Sequence, residues 1–211
     1  MLRRLLFALA ALAALTGCSN MKPEQFAGTE PALKLEEYFL GHTRAYGIVE
    51  DRFGNLRRSF VAEIQGTWDG TVLTLVEDFD WSDGEKQQRI WTLTKLDENR
   101  WEGRAGDVEG VSKGVVFGNA FNMQYILNLK MGDGTWKVKF DDWMFLMQDG
   151  ILLNRAVMSK WGFDLATITI SFRRLEESAA QSATPAQTAA AAQSSAQGAT
   201  TPASGATQAA E

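Results

Sequence analysis

Hydrophobic and polar residues alternate along most of the chain. In the segment 123–131 every second position, counted from its first residue, is Met, Tyr or Leu, whereas Gln124, Asn128 and Lys130 share the other face. The segment 167–172 repeats the pattern, with Ile and Phe on one face and Thr and Ser on the other. A period of two is typical of half-buried antiparallel strands. The pattern therefore predicts an all-β domain over residues 31–175.

Short stretches rich in Gly, Asn and Asp separate the alternating runs. These residue types tolerate the positive φ of tight hairpins, so the stretches predict hairpin connections. A meander of eight to ten strands removes its exposed edges by closing into a barrel. The runs predict about nine strands, at residues 43–52, 56–66, 71–81, 86–96, 100–108, 119–131, 135–147, 151–160 and 165–174.

Residues 31–41 are compatible with either of two structures. Leu33 and Leu35 alternate as in a strand, whereas the run from Glu36 to Phe39 equally permits a short helix that ends at Gly41. The sequence does not decide between the two.

The first residues have the layers of a secretory signal. Arg3 and Arg4 precede an apolar run that is too short to span a bilayer. The sequence Leu15-Thr16-Gly17-Cys18 resembles the lipobox of bacterial lipoproteins, in which a diacylglycerol is attached to the cysteine and the chain is cut before it. We therefore expect residues 1–17 to be a lipoprotein signal peptide and Cys18, the only cysteine, to carry the lipid. Residues 18–30 would form a lipidated tether.

The composition of residues 176–211 differs from that of the rest of the chain. The segment holds fourteen Ala among Ser, Thr, Gln, Gly and Pro, and it has no aromatic residue and no Val, Ile or Leu. Such a segment can bury almost no apolar surface, so ordering it would cost entropy without compensation. We predict a disordered tail.

The charge balance limits the partners of the protein. Without residues 1–17 the chain has 19 basic and 26 acidic side chains. An acidic body lacks the basic face that nucleic acid requires and is not attracted to an anionic lipid surface. We therefore expect no nucleic-acid partner, and we expect membrane attachment through the acyl chains on Cys18.

Two isolated signals for chemistry are weak. Gly110-Val111-Ser112-Lys113-Gly114 matches the Gly-x-Ser-x-Gly nucleophile pattern, but no helical segment follows and the only histidine, His42, lies upstream. We interpret the motif as a bend between strands and His42 as a polar residue at a strand entrance. One histidine and a lipidated cysteine do not make a usual zinc site, so we expect no metal, no cofactor and no catalytic group.

Polar residues on the inner face of an apolar barrel require partners, because an isolated buried charge is costly. If Asp149-Gly150 forms a hairpin, Arg155 on one strand is expected to pair with Asp141 or Asp142 on the other. Adjacent strand residues point to opposite faces, so the two aspartates do not converge on one site. The candidate internal polar or ligand-orienting residues are Arg44, Asp51, Arg89, Arg104, Asp141, Asp142, Asn154 and Arg155. The candidate cavity-lining residues are Trp91, Tyr125 and Trp143.

Separated motifs over residues 24–174 carry a resemblance to a known family. They are Glu37-Tyr38-Phe39-Leu40-Gly41, Asp51-Arg52-Phe53-Gly54, Gly66-Thr67-Trp68-Asp69-Gly70, Asp83-Gly84-Glu85 with Arg89 and Trp91, Asp107-Val108-Glu109-Gly110, Asp141-Asp142-Trp143-Met144, and Asn154-Arg155 through Gly162-Phe163. The chain thereby resembles an uncharacterised bacterial lipoprotein family, domain of unknown function 3833. The resemblance implies a lipid-anchored envelope protein and supplies no catalytic residues.

These observations predict a lipid-anchored periplasmic protein with a lipocalin-like barrel. A barrel of eight to ten strands can enclose one small ligand, so we expect an apolar or amphipathic small molecule or lipid inside it. The alternative is a non-catalytic scaffold with a solid core that binds another envelope protein. Ser19, in place of Asp after the cysteine, favours the outer membrane, facing the periplasm, by analogy with enteric lipoproteins.

Overall fold

The computed structural model describes residues 21–175, which form a closed antiparallel barrel of ten strands. Each strand pairs with its neighbours in sequence, and β1 pairs with β10 to close the ring. The predicted all-β meander and its closure are confirmed. Cys18, the predicted signal peptide and the predicted tail lie outside the described residues. The strands are β1 (Gly41–Asp51), β2 (Leu56–Trp68), β3 (Val72–Trp81), β4 (Lys86–Lys95), β5 (Arg100–Arg104), β6 (Ser112–Phe117), β7 (Ala120–Met131), β8 (Gly134–Leu146), β9 (Leu152–Lys160) and β10 (Phe163–Arg174).

One strand was missed by the sequence analysis. β6 lies in a stretch that we interpreted only as a bend, and it pairs with β5 on one side and β7 on the other. The predicted strand 100–108 ends earlier, at Arg104, and Val108 forms only an isolated bridge to Leu127. The glycine-rich composition of this stretch hides its alternation, because two of the inward positions, Gly103 and Gly114, carry no side chain.

The up-and-down order of the strands gives the barrel two distinct ends. One end carries the β2–β3, β4–β5, β6–β7 and β8–β9 turns, and we call it the plugged end. The other end carries the turns that follow the odd-numbered strands, and we call it the rim. Among residues 21–175, no helix has the length and apolar character needed to cross a membrane.

A single helical turn, α1 (Leu35–Tyr38), closes the plugged end. Leu33, Leu35, Tyr38 and Phe39 are buried in the core there, and the Tyr38 hydroxyl donates to the carbonyl of Phe172 near the end of β10 (3.0 Å). Of the two structures compatible with residues 31–41, the helix is therefore the one that forms. Its apolar residues cover the bottom of the barrel interior.

The residues that precede the plug pack on the outer wall near the same end. A 3-10 turn, Pro23–Phe26, places the Phe26 ring against Trp143 and Phe145 on the outside of β8, with ring centroids 6.0 and 5.4 Å apart. The Thr29 hydroxyl donates to the side chain of Asn119 in the β6–β7 turn (2.7 Å). Part of the segment interpreted as a tether is thus held on the barrel.

The contact between plug and barrel allows a test. A methyl group added at Gly66 would collide with the carbonyl oxygen of Phe39, whereas one at Gly106 would meet no atom within 4 Å. We expect Gly66→Ala to lower the free energy of unfolding by about 1–3 kcal/mol, because a packed backbone has to move. Urea denaturation followed by tryptophan fluorescence measures the change. Gly106→Ala is the matched control, and an equal effect of the two substitutions would contradict the plug contact.

Candidate functional site

The burial of the inward side chains decreases along the barrel axis from the plugged end to the rim. Near the plugged end the inward side chains, such as Ile64, Leu73 and Leu152, are almost completely buried. Near the rim the inward side chains of the same strands, such as Phe79 and Met158, remain partly exposed. The lower half is therefore a packed core, and the inner wall of the upper half is partly exposed to solvent toward the rim.

Ionic side chains lie where these two halves meet. Arg89 on β4 is opposite Glu77 on β3, and its guanidinium donates to Asp107 in the β5–β6 connection (Nη2 to Oδ2, 2.7 Å; Nε to Oδ2, 3.0 Å). The side chains of Arg89 and Asp107 are 19% and 28% exposed to solvent. Because one arginine faces more than one carboxylate, the cluster has an excess of negative charge.

A second polar group faces this cluster from β8 and β9. The Asn154 amide donates to Asp142 and to the carbonyl of Trp143 (2.9 Å), and the Tyr125 hydroxyl donates to Asp142 (3.3 Å). Asn154 is only 2% exposed, and its Oδ1 atom has no hydrogen-bond partner among the described residues. An unpaired buried acceptor is costly, so this atom is available to a donor.

The carboxyl groups of Glu77 and Asp142 have raised pKa values. Burial raises the pKa of Glu77 to about 7; the Arg89 charge opposes the shift, and the nearby Asp142 and Asp107 carboxylates add to it. Burial likewise raises the pKa of Asp142 to about 6, against the hydrogen bonds from Asn154 and Tyr125. Both groups can therefore change protonation state near neutral pH.

Aromatic rings surround the polar groups. Tyr125 stacks on Phe140 (centroids 5.0 Å apart) and meets Trp91 edge to face (5.4 Å). Closer to the rim, the guanidinium of Arg58 lies 4.0 Å from the Trp81 ring centroid, and the buried Trp81 indole nitrogen has no partner among the described residues. The wall thus combines apolar faces with a few fixed polar atoms, which is the usual lining of a small-molecule site.

The structure brings five of the sequence-predicted residues to the inner wall. Arg89, Asp142 and Asn154 belong to the polar groups described above, and Trp91 and Tyr125 to the aromatic lining. Sequence reasoning missed Glu77 and Asp107. For Glu77 a signal was available, because the alternation of inward residues on β3 includes its position. For Asp107, which lies in a connection, the sequence contained no comparable signal.

Six other predicted residues have different positions or roles. The predicted internal pair of Arg155 with Asp141 or Asp142 is wrong, because Arg155 is exposed on the outer face and in register with Trp143. Asp141 also lies outside, opposite in direction to Asp142, as expected for adjacent strand residues. Arg44 lies on the outer face, paired with Glu63, and Arg104 is exposed on the outer face. Trp143 also lies on the outer face, where Phe26 packs against it. Asp51 accepts hydrogen bonds from the backbone N–H groups of Phe53 and Asn55 in the β1–β2 turn.

The isolated motifs have structural roles. Ser112 is completely buried on β6, and its hydroxyl faces the sulfur of Met123 (3.4 Å). His42 lies at the start of β1, and its Nε2 is 2.7 Å from a Glu63 carboxylate oxygen. In the described part of the chain, no three His, Cys, Asp or Glu side chains are placed to hold a metal ion.

Two solved structures share this lipocalin-like barrel. The S-type phycobiliprotein lyase CPES from Guillardia theta aligns with a TM-score of 0.50 and 10% identity, over 67% of this chain and 90% of that one. Rv2717c from M. tuberculosis aligns with a TM-score of 0.50 and 15% identity, over 70% of this chain and 99% of that one. At these identities the similarity shows the fold alone.

The family of the chain follows from its sequence. The family described as protein of unknown function (DUF3833) matches residues 12–174, so the chain belongs to that family, as its motifs predicted. No curated protein matches the chain.

The raised pKa of Glu77 predicts how stability depends on pH. An acid whose pKa is higher in the folded state than in the unfolded state stabilises the fold fully below its ordinary pKa of 4.5, and this contribution is lost as the pH rises through about 7. Between pH 5 and pH 8 we expect the free energy of unfolding to fall by about 1–3 kcal/mol more in the parent than in Glu77→Gln. Urea titrations at both pH values measure this difference. Glu102→Gln on the outside of β5 is the control, and a Glu77→Gln slope equal to that of the parent would contradict the assignment.

Proposed function

We propose that the protein binds one apolar or amphipathic small molecule or lipid inside the barrel. The observation that carries this proposal is the contrast between the two ends. Apolar residues of the plug, such as Leu35 and Phe39, seal one end, whereas the inward wall toward the rim is partly exposed and lined by aromatic and polar groups. A ligand would enter at the rim and rest on the packed lower half.

The charges of the inner wall favour one kind of polar group on the ligand. Glu77, Asp107 and Asp142 supply three carboxyl groups; Arg89 donates to Asp107 and lies opposite Glu77, and its charge acts on the pKa values of Glu77 and Asp142. The free Oδ1 atom of Asn154 is also an acceptor. A ligand group that donates hydrogen bonds or carries a positive charge would therefore be favoured over an anion, and its apolar part would lie against Trp91, Tyr125 and Phe140.

This proposal assigns the barrel a binding role and not a catalytic one. Within residues 21–175, the polar groups of the inner wall include no nucleophile paired with a base, since Ser112 contacts a methionine sulfur and His42 lies on the outer face. One structural neighbour is named a lyase, which indicates that this fold can carry an enzyme. At 10% identity that activity does not extend to this chain.

The envelope location is the second part of the proposal. Leu15-Thr16-Gly17-Cys18 supports lipidation of Cys18, and Ser19 supports the outer membrane, facing the periplasm. A lipid-anchored binding protein would hold its ligand next to a membrane without a spanning segment of its own.

An apolar groove on the outer wall supports a second candidate function. It has a volume of about 590 Å³ and crosses β9, β10, β1, β2 and β3. Tyr46, Ile48 and Leu153 contribute exposed side chains to it. Such a groove fits the alternative of a non-catalytic scaffold that has a solid barrel core and binds another envelope protein.

Binding of N-phenyl-1-naphthylamine, a neutral apolar probe whose N–H is a donor, tests the interior site. The chain from Ser19 to Glu211, which lacks the lipidated cysteine, suits this measurement, because the barrel, its plug and its core lie within residues 21–175. We expect saturable binding of one probe per chain, seen as a rise in fluorescence. Ala156→Phe on the inner wall beside Asp142 should weaken binding about tenfold, which is 1.4 kcal/mol.

Arg155→Phe is the matched control, since it adds the same ring to the outer face of the same strand. Native mass spectrometry of the same chains measures any molecule that copurifies from cells. Equal probe affinity in the two variants, or a mature chain without saturable binding, would favour the scaffold over the ligand carrier.

Lipidation has its own test. In cells supplied with a labelled fatty acid we expect the parent chain to incorporate the label and Cys18→Ser to lose it completely, because the thiol is the only acceptor of its kind in the chain. Immunoprecipitation followed by gel detection of the label measures this. Ser19→Ala leaves the thiol in place and should retain the label; label in Cys18→Ser would contradict the anchor.

A further inference from the structure

Large aromatic side chains project from three hairpins of the rim. Phe53 in the β1–β2 turn is 75% exposed, and Trp161 and Phe163 in the β9–β10 hairpin are 84% and 67% exposed. Trp136 on β8 is also exposed. Exposed aromatic residues that lie together mark an interaction site, because each leaves a large apolar surface in water.

Cations lie directly on these rings. The Lys160 ammonium group is 4.9 Å from the ring centroids of both Trp136 and Trp161, and the Arg52 guanidinium lies 4.6 Å from the Phe53 centroid. The lysine therefore joins the β7–β8 and β9–β10 hairpins into one cluster. We call Phe53, Trp136, Trp161 and Phe163, with Arg52 and Lys160, the aromatic rim.

The charge of these hairpins differs from that of the whole chain. Residues 50–57, 130–139 and 160–164 contain six basic and four acidic side chains, whereas the chain as a whole has a net charge of −5. The neighbouring rim segments 80–86 and 104–110 hold five acidic and two basic side chains. The exposed aromatic side chains named above thus lie in the basic part of the rim, whereas Trp81 in the acidic part is only partly exposed.

We infer that the aromatic rim inserts into the interface of a phospholipid bilayer that contains anionic lipids. Indole rings and long cationic side chains are enriched at membrane interfaces, where the rings lie at the headgroup level and the cations meet phosphate groups. The geometry favours this partner over a protein, because Phe53-Gly54 and Trp161-Gly162 are narrow projecting tips and not a flat patch. Insertion to roughly 5–10 Å would bury the rings.

Insertion at the rim would place the open end of the barrel against the lipid phase. The acidic charge of the whole body predicts membrane attachment through acyl chains alone. The aromatic rim adds a contact that the protein itself makes. This inference does not depend on what the barrel holds.

Vesicle binding by the mature chain without its acyl group tests the inference. The vesicles are of phosphatidylethanolamine with phosphatidylglycerol, and brominated lipids in them quench any tryptophan that enters the interface. We expect the parent to be quenched on vesicle addition and the partition coefficient of the double variant Trp161→Ala, Phe163→Ala to fall about tenfold or more. Lys160→Gln should weaken binding to these vesicles more than to pure phosphatidylcholine.

Tyr46→Ala is the control, since Tyr46 is 51% exposed on the outer wall away from the rim. Phe53→Ser supplies a second tip variant in a different hairpin, and the thermal unfolding transition, followed by far-UV circular dichroism, verifies that each variant is folded. A parent that is not quenched, or tip variants that bind as the parent and Tyr46→Ala do, would overturn the inference. A loss of vesicle binding with unchanged probe binding would support it and leave the proposed ligand site intact.

Discussion

Closure of the ring by β1 and β10 is the constraint on which the rest of the structure depends. Thr43 to Asp51 pair with Arg174 to Ala166, so the sheet has no free edge. In a closed sheet every second side chain must point inward, whatever its polarity. This is how Glu77, Arg89 and Asp142 come to face one another across the interior. The charges there follow from the alternation of strands that are otherwise apolar on that face.

The register of the β8–β9 hairpin decides which of the predicted site residues on these strands point into the barrel. Had the β8–β9 connection been a two-residue Asp149-Gly150 turn, Asp142 and Arg155 would share a face. Instead the chain closes through a hydrogen bond between Met147 and Ile151, with one residue more in the loop, so that Asp142 lies opposite Ala156. A register change of one residue moves a whole strand's side chains to the other face. A sequence shows which residues of a strand share a face. It does not show which of the two faces points into the barrel where a glycine-containing loop can have either two or three residues.

The remaining differences have equally local causes. The inward position of Glu77 could have been predicted, because Leu73, Leu75 and Phe79 share its face, while the acidic neighbours Asp78 and Asp80 are exposed on the other face. Asp107 reaches Arg89 from outside any strand, and this contact depends on how the β5–β6 connection folds. The barrel itself could be predicted because nine of its ten strands are visible as separate segments of the sequence. Missing the tenth, β6, does not change the predicted architecture.

The plug and the aromatic rim lie at opposite ends, which restricts how an anchored protein can meet a membrane. Cys18 precedes Lys22, the first residue of the packed turn segment, by four residues, so an acyl chain would hold the plugged end within about 14 Å of the bilayer. β8 alone has 13 residues and extends about 40 Å. An upright barrel would therefore turn its rim away from the anchoring membrane. If the anchor and the rim contact the same bilayer, the barrel axis must therefore lie close to the membrane plane, because the two contacts are at opposite ends of the barrel.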